Sequence, residues 1–267
     1  MTKQKSRVDS LGRRDYEDWW ECFPGGCKTI DRRKRSRITE IANDLFIMDN
    51  FISNEMCDNI VKFMEDDPNN HLEGFSGSTK KEKQNNENQW KISVDWGLTT
   101  AAGRKENPLH QEIDTYLFKR YREFFFELDE YYCQWPYPHV PQKKSDENKY
   151  PYLGNTFKII KDCGFQVQKT GPGEFYKWHW DTANGTVGGL RRVFSTILYL
   201  NDDYEGGETG FPRQALKIRP RKGRLVCTYS NFTHLHAGLP VKKGDKYLMF
   251  CAFESEGESN QSLRRSS

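Results

Sequence analysis

Apolar positions change rhythm near Gly164, from spacings of three and four residues to short alternating runs. Upstream, Leu45-Phe46-Ile47-Met48 reads as a strand. Ser53 then caps a helix through about Glu65 that sets Met56, Ile60, Val61 and Met64 on one face. A second helix is expected from about Pro108 to Tyr132, with Ile113, Leu117, Tyr121, Phe124 and Leu128 near helical spacing. Between and after the helices, Asp66 to Gln89 and Pro136 to Tyr152 are polar and have little to bury, so both read as loops. The first of them is a plausible lid.

Downstream the pattern predicts eight strands: Phe165 to Thr170, Tyr176 to Asp181, Val193 to Leu200, Glu208 to Pro212, Ala215 to Pro220, Arg224 to Tyr229, His234 to Val241 and Lys246 to Glu254. Gly171-Pro172-Gly173, Asn184-Gly185, Gly206-Gly207, Lys222-Gly223 and Gly244-Asp245 punctuate them with residues suited to turns. Short strands at regular spacing predict a mainly β, α+β protein: a double-stranded β-helix, or jelly roll, with the N-terminal helices packed on one sheet. The expected division is an extension over 1–38, one domain over 39–255 with its jelly-roll core at about 157–254, and a polar tail over 256–267.

Composition narrows the picture modestly. With 41 Lys and Arg against 38 Asp and Glu, the net charge of +3 is too small to point to nucleic acid. The basic run Arg32-Arg33-Lys34-Arg35-Ser36-Arg37 reads as a solvated strip. The seven cysteines have no disulfide-scaffold spacing, and Cys22 and Cys27 lack a second pair for zinc. No signal peptide or membrane-length apolar run is evident, which leads to the expectation of a soluble, cytoplasmic protein with no membrane partner.

Candidate chemistry centres on His179-Trp180-Asp181. On an extended strand, residues two apart share a face with Cα atoms roughly 7 Å apart, a gap that one metal ion can span. Two imidazoles and one carboxylate suit iron(II) with open positions. The third ligand has two candidates, His234 and His236, which strand parity places on one face and cannot separate. Lys246 falls in line with Leu248, Phe250 and Ala252 on a strand apolar on both faces. An ammonium pointing inward needs an anion, unless Lys246 begins the strand and its head snorkels to water.

These residues resemble the iron(II)- and 2-oxoglutarate-dependent dioxygenases, specifically the prolyl 4-hydroxylase-like branch. The resemblance runs from Gly173 through His179 and Asp181, through Leu198-Tyr199-Leu200-Asn201 and Glu205-Gly206-Gly207-Glu208-Thr209-Gly210-Phe211, and on to Pro220-Arg221-Lys222-Gly223. It closes with His236-Ala237-Gly238-Leu239-Pro240-Val241 and Gly244-Asp245-Lys246. It implies metal ligands His179, Asp181 and His236, leaving His234 as a neighbour, and no catalytic side chain beyond the metal centre. Lys246 and Tyr199 would hold the far carboxylate of 2-oxoglutarate. Thr170 stands where many members have a tyrosine for that cosubstrate, and Trp178 where a proline is common.

The implied cofactors are iron(II), 2-oxoglutarate and dioxygen, with ascorbate as an accessory. The implied reaction couples decarboxylation to succinate with hydroxylation, and peptidyl proline is the family-weighted substrate. Trp90, Trp96, Trp135 and Tyr137 could line a peptide groove. The rival substrates are a free amino acid or another small molecule. The rival classes are a zinc hydrolase, which has no use for an inward lysine, and a jelly-roll sensor without turnover.

Overall fold

The strand Lys246–Glu256 faces two interiors. Tyr247, Met249, Cys251 and Phe253 pack into an apolar cluster shared with both long helices, whereas Lys246, Leu248 and Phe250 line a cavity. A strand covered on both faces must be apolar at nearly every position, so this segment shows little alternation.

The computed structural model describes residues 14–15, 37–74, 90–98, 108–133, 152–153, 157–182 and 190–256. The expectations for the Cys22 to Cys27 turn, the basic run up to Ser36, most of the 66–89 and 136–152 loops, Trp135, Tyr137 and the tail lie outside those residues. In chain order the first strands are β1 (Arg14–Asp15), β2 (Ile38–Ala42), β3 (Leu45–Met48), β4 (Leu72–Glu73), β5 (Val94–Gly97) and β6 (Tyr152–Leu153). Next come β7 (Phe157–Asp162), β8 (Gln166–Thr170), β9 (Tyr176–His179), β10 (Leu190–Tyr199), β11 (Glu205–Gly206) and β12 (Thr209–Phe211). The last are β13 (Leu216–Ile218), β14 (Leu225–Tyr229), β15 (His236–Gly238), β16 (Val241–Lys243) and β17 (Lys246–Glu256).

The larger sheet has the order β2-β3-β14-β10-β17-β8-β5-β4, and β7 also pairs with β17. The smaller sheet has the order β1-β13-β12-β15-β9, and β11 pairs with β16. Leu45, Ile47, Tyr199 and Val226 of the larger sheet meet Phe211, Leu216 and Ile218 of the smaller one in an apolar cluster. That cluster fills part of the space between the sheets, and the cavity occupies another part.

Helices α1 (Asn54–Glu65) and α2 (Pro108–Cys133) cover the outer face of the larger sheet. Ser53 caps α1, its hydroxyl accepting from the Met56 amide at 3.1 Å. Ile113, Leu117, Tyr121, Phe124 and Leu128 of α2 are all buried, as their spacing predicts. The jelly-roll architecture with helices on one sheet therefore holds. No helix among the described residues is long and apolar enough to cross a membrane.

Three local expectations need correction. The predicted strand from His234 to Val241 is a 3-10 turn at Phe232–His234 followed by two short strands, because Asn231 accepts the Thr233 amide through its side chain and starts the turn. The strand carrying His179 ends there, so Asp181 sits on the bend that follows it. Strands β5 and β7, which pair with β8 and β17 far along the chain, and β2, which pairs with the adjacent β3 in a hairpin, add to the expected strands.

Candidate metal centre and cavity

Strand β9 brings His179 beside His236, its directly paired residue on β15. Asp181 completes the group: its Oδ1 lies 3.5 Å from His179 Nε2 and its Oδ2 lies 3.6 Å from His236 Nε2. One donor atom from each residue falls within 4.8 Å of the others, so the three could hold one metal ion. Both imidazoles are oriented in the same way. His179 Nδ1 donates to the Lys177 carbonyl at 2.7 Å, and His236 Nδ1 donates to the His234 carbonyl at 3.0 Å. With each Nδ1 proton committed to a backbone oxygen, each Nε2 lone pair is left for a metal.

Burial opposes ionisation of Asp181, but His236, His179 and a hydrogen bond from Ser195 outweigh it and hold the carboxyl well below its usual range. Burial pushes the His236 imidazole down, with Asp181 opposing, which keeps it in the neutral form that binds metals. Ser195 is itself fixed 2.6 Å from the Ser230 hydroxyl.

His234 has a different task. Its ring meets the Asn43 carbonyl at 3.0 Å and the Thr233 hydroxyl at 2.8 Å, tying the turn to the β2–β3 hairpin. The two histidines do not share a face, because the turn ends at His234 and the strand begins at His236.

The metal-type cluster opens on a cavity of about 260 Å³ lined by both sheets. Lys246 projects into it with 2% of its surface exposed, donating to the Gly207 carbonyl at 2.6 Å. Burial pushes its ammonium down to about 8, with Glu208 pulling the other way. Asn201 fixes the entry to β17 from both sides, donating to the Asp245 carbonyl at 2.8 Å and accepting the Tyr247 amide at 2.7 Å. Gly207 has φ +67°, and a Cβ there would stand 3.2 Å from Lys246 Cδ, so only glycine leaves this room.

Thr170 pairs directly with Lys246 across β8 and β17 and lines the cavity. Tyr199 stands behind Thr209, with its hydroxyl 2.6 Å from Thr209 Oγ1 and its ring 5.7 Å from Lys246 Nζ. Trp178 points away from the cavity and covers Gly210, and Trp96 is a core residue whose indole donates to Asp67. Trp90 is exposed beside Lys177.

Sequence reasoning passed over Tyr176, whose ring stacks on His179 with centroids 3.5 Å apart. Parity would separate residues three apart, but the β9–β15 register slips between His179 and Tyr176. The bulge turns both toward the cavity.

Residues 165–254 match the family described as the 2OG-Fe(II) oxygenase superfamily. They belong to it. The matched segment contains all three metal-type residues, Thr170, Tyr199 and Lys246. Over 109 residues the chain is 35% identical to "Probable prolyl 4-hydroxylase 9" of Arabidopsis thaliana, covering 32% of this chain and 38% of that protein. It thus spans about two fifths of the length of this curated relative.

Two solved structures share the fold. A prolyl hydroxylase from Trichoplax adhaerens, in complex with a hypoxia inducible factor oxygen degradation domain peptide fragment, superimposes with a TM-score of 0.56 at 18% identity. That match covers 84% of this chain and 89% of the other. The viral collagen prolyl hydroxylase of Paramecium Bursaria Chlorella virus-1, in its 2OG complex, gives 0.52 at 20% identity over 79% of this chain and 96% of that one. The fold is that of these prolyl hydroxylases.

Proposed function

We propose that the protein is an iron(II)- and 2-oxoglutarate-dependent hydroxylase of peptidyl proline. The observation that carries this reading is the meeting, in one cavity, of a two-histidine, one-carboxylate donor set and a buried ammonium. Lys246 has a carbonyl oxygen as its hydrogen-bond partner and no carboxylate within ion-pair distance among the described residues. A buried cation in that state fits an anionic ligand.

His179, Asp181 and His236 would hold the iron, and the neutral His236 imidazole and the ionised Asp181 carboxylate suit it. Lys246 and its cross-strand neighbour Thr170 would meet the far carboxylate of 2-oxoglutarate, with Tyr199 supporting them through Thr209. Bound iron, 2-oxoglutarate and dioxygen supply the oxidation, which releases succinate and carbon dioxide and inserts one oxygen atom into substrate. The protein's share is to orient the reacting bond and to keep water out, for which Ile197, Leu239, Leu248 and Phe250 are placed. The wall also carries Ser93, Gln166 and Gln168, which can hydrogen-bond the amides of a peptide. The prolyl 4-hydroxylase names of the relatives support proline as the target.

Anaerobic titration with iron(II) and then 2-oxoglutarate should develop the weak visible charge-transfer band. Proline-containing peptides should then stimulate succinate release and gain one oxygen atom by mass spectrometry. Stimulation by free amino acids but not peptides would overturn the substrate, and absence of the band would overturn the chemistry.

A further inference from the structure

The segment 90–97 crosses from one sheet to the other beside the metal-type cluster. Its first part runs along β9: the Ile92 amide donates to the Phe175 carbonyl at 2.9 Å, and the Lys177 amide donates to the Trp90 carbonyl at 2.8 Å. Its second part is β5, which pairs with β8 of the larger sheet. Asp95 lies just past the crossing and accepts from both sides of it. Lys91 Nζ donates at 2.6 Å, Ser93 Oγ at 2.8 Å and Gln166 Nε2, from β8, at 2.7 Å.

The Lys91 and Asp95 side chains are only 5% and 7% exposed. Removing two charges from water is costly, and the three donors converging on Asp95 offset much of that. Nothing in the stability of a jelly roll requires a buried ion pair at this corner, where an apolar pair would pack as well. Its placement suggests another use. Lys91 Nζ lies 5.5 Å from the centre of the Tyr176 ring, and the same ring stacks on His179 at 3.5 Å and 16°. Asp95, Lys91, Tyr176 and His179 therefore form one continuous chain of contacts.

We infer that Asp95, through Lys91 and Tyr176, is a positioning residue for His179. The clasp holds the bulged part of β9 at a fixed distance from the larger sheet, so that the imidazole meets a metal ion in the correct plane. This inference rests on the metal-binding reading of His179, Asp181 and His236. Groups that act on a ligand from one contact away change metal affinity about 10–100-fold when removed.

The test is titration of the full chain with cobalt(II) alone, followed by its visible ligand-field bands, beside thermal unfolding of the metal-free protein. Asp95→Asn should weaken cobalt binding roughly tenfold or more and shift the bands. The double variant Lys91→Met, Asp95→Asn should do the same, and it carries the comparison if the single variant, with its unpaired lysine, does not fold. Lys91→Arg keeps the cation and should retain native affinity. A merely structural clasp would lower the unfolding temperature and leave cobalt affinity and bands unchanged, and that result would overturn the inference. Failure of the native chain to bind cobalt at all would instead overturn the metal reading on which the inference stands.

Discussion

The His236 imidazole donates through Nδ1 to the His234 carbonyl at 3.0 Å, so the backbone of one histidine orients the ring of the other. His234 turns its own ring to the Asn43 carbonyl. One residue separates the two in sequence, yet their rings meet different backbone carbonyls.

This relationship predicts opposite behaviour on truncation. His236→Ala should abolish iron binding, because a donor atom is lost. His234→Ala leaves the backbone carbonyl in place and should retain metal. Its cost is in stability, about 0.5–1.5 kcal/mol for the lost hydrogen bond, because Asn43 is exposed and its carbonyl can be rehydrated. Iron titration and urea denaturation of the two variants separate the effects, and metal loss in His234→Ala alone would reverse the assignment.

Lys246 makes the metal-free protein respond to pH. Burial lowers its folded pKa to about 8, whereas an unfolded lysine titrates near about 10.4. Between these values the unfolded chain holds a proton that the folded chain has released, so stability rises with pH across that window. It is lost again as pH falls through 8. The full difference is about 3 kcal/mol, and it should vanish in Lys246→Met. Binding of 2-oxoglutarate should run the other way, weakening above pH 8 as the ammonium is lost. Calorimetric titration at pH 7 and 9 checks the second point, and denaturation between about pH 7 and 11 checks the first.

Gly207→Ala should act on the cosubstrate end of the cavity. The left-handed φ of +67° costs an alanine about 1–2 kcal/mol, and the new methyl carbon would press on the Lys246 stem. The expected outcome is weaker 2-oxoglutarate binding with iron affinity unchanged, read by the same two-stage titration. An unchanged dissociation constant would show that Lys246 can shift without loss.

Arg224 predicts a stability effect remote from the chemistry. Its guanidinium is buried and donates through Nε and Nη2 to the two oxygens of Asp49, at 2.5 and 3.0 Å, and through Nη1 to the Arg219 carbonyl. Arg224→Met removes those bonds. Because Asp49 is partly exposed and can be rehydrated, the loss should be about 1–3 kcal/mol, below that of a fully buried pair. Urea denaturation measures it, with metal affinity expected to stay native.

The helix positions were legible because α2 packs a single stripe against the sheet, and a stripe at helical spacing is a local property. Lys246 was legible for a related reason: strand parity holds along β17, where no bulge interrupts the part that enters the cavity. Parity failed where the backbone departs from a regular strand. Tyr176 joins His179 on one face only through a bulge, and His234 leaves its expected face only through a 3-10 turn.

By itself the sequence determined the layer architecture, the candidate donors and the inward lysine, since each follows from local periodicity, turn residues and the motifs of a resembled family. Tertiary structure decided which atoms meet. The pairing of His179 with His236, the Asn201 clamp on the start of β17, and the Gln166 bond to Asp95 all join residues distant in sequence, whereas the Nδ1 bonds that free each Nε2 are local. Hydrogen bonds of that kind depend on sheet register and on the distance between layers, and neither is encoded in any one segment.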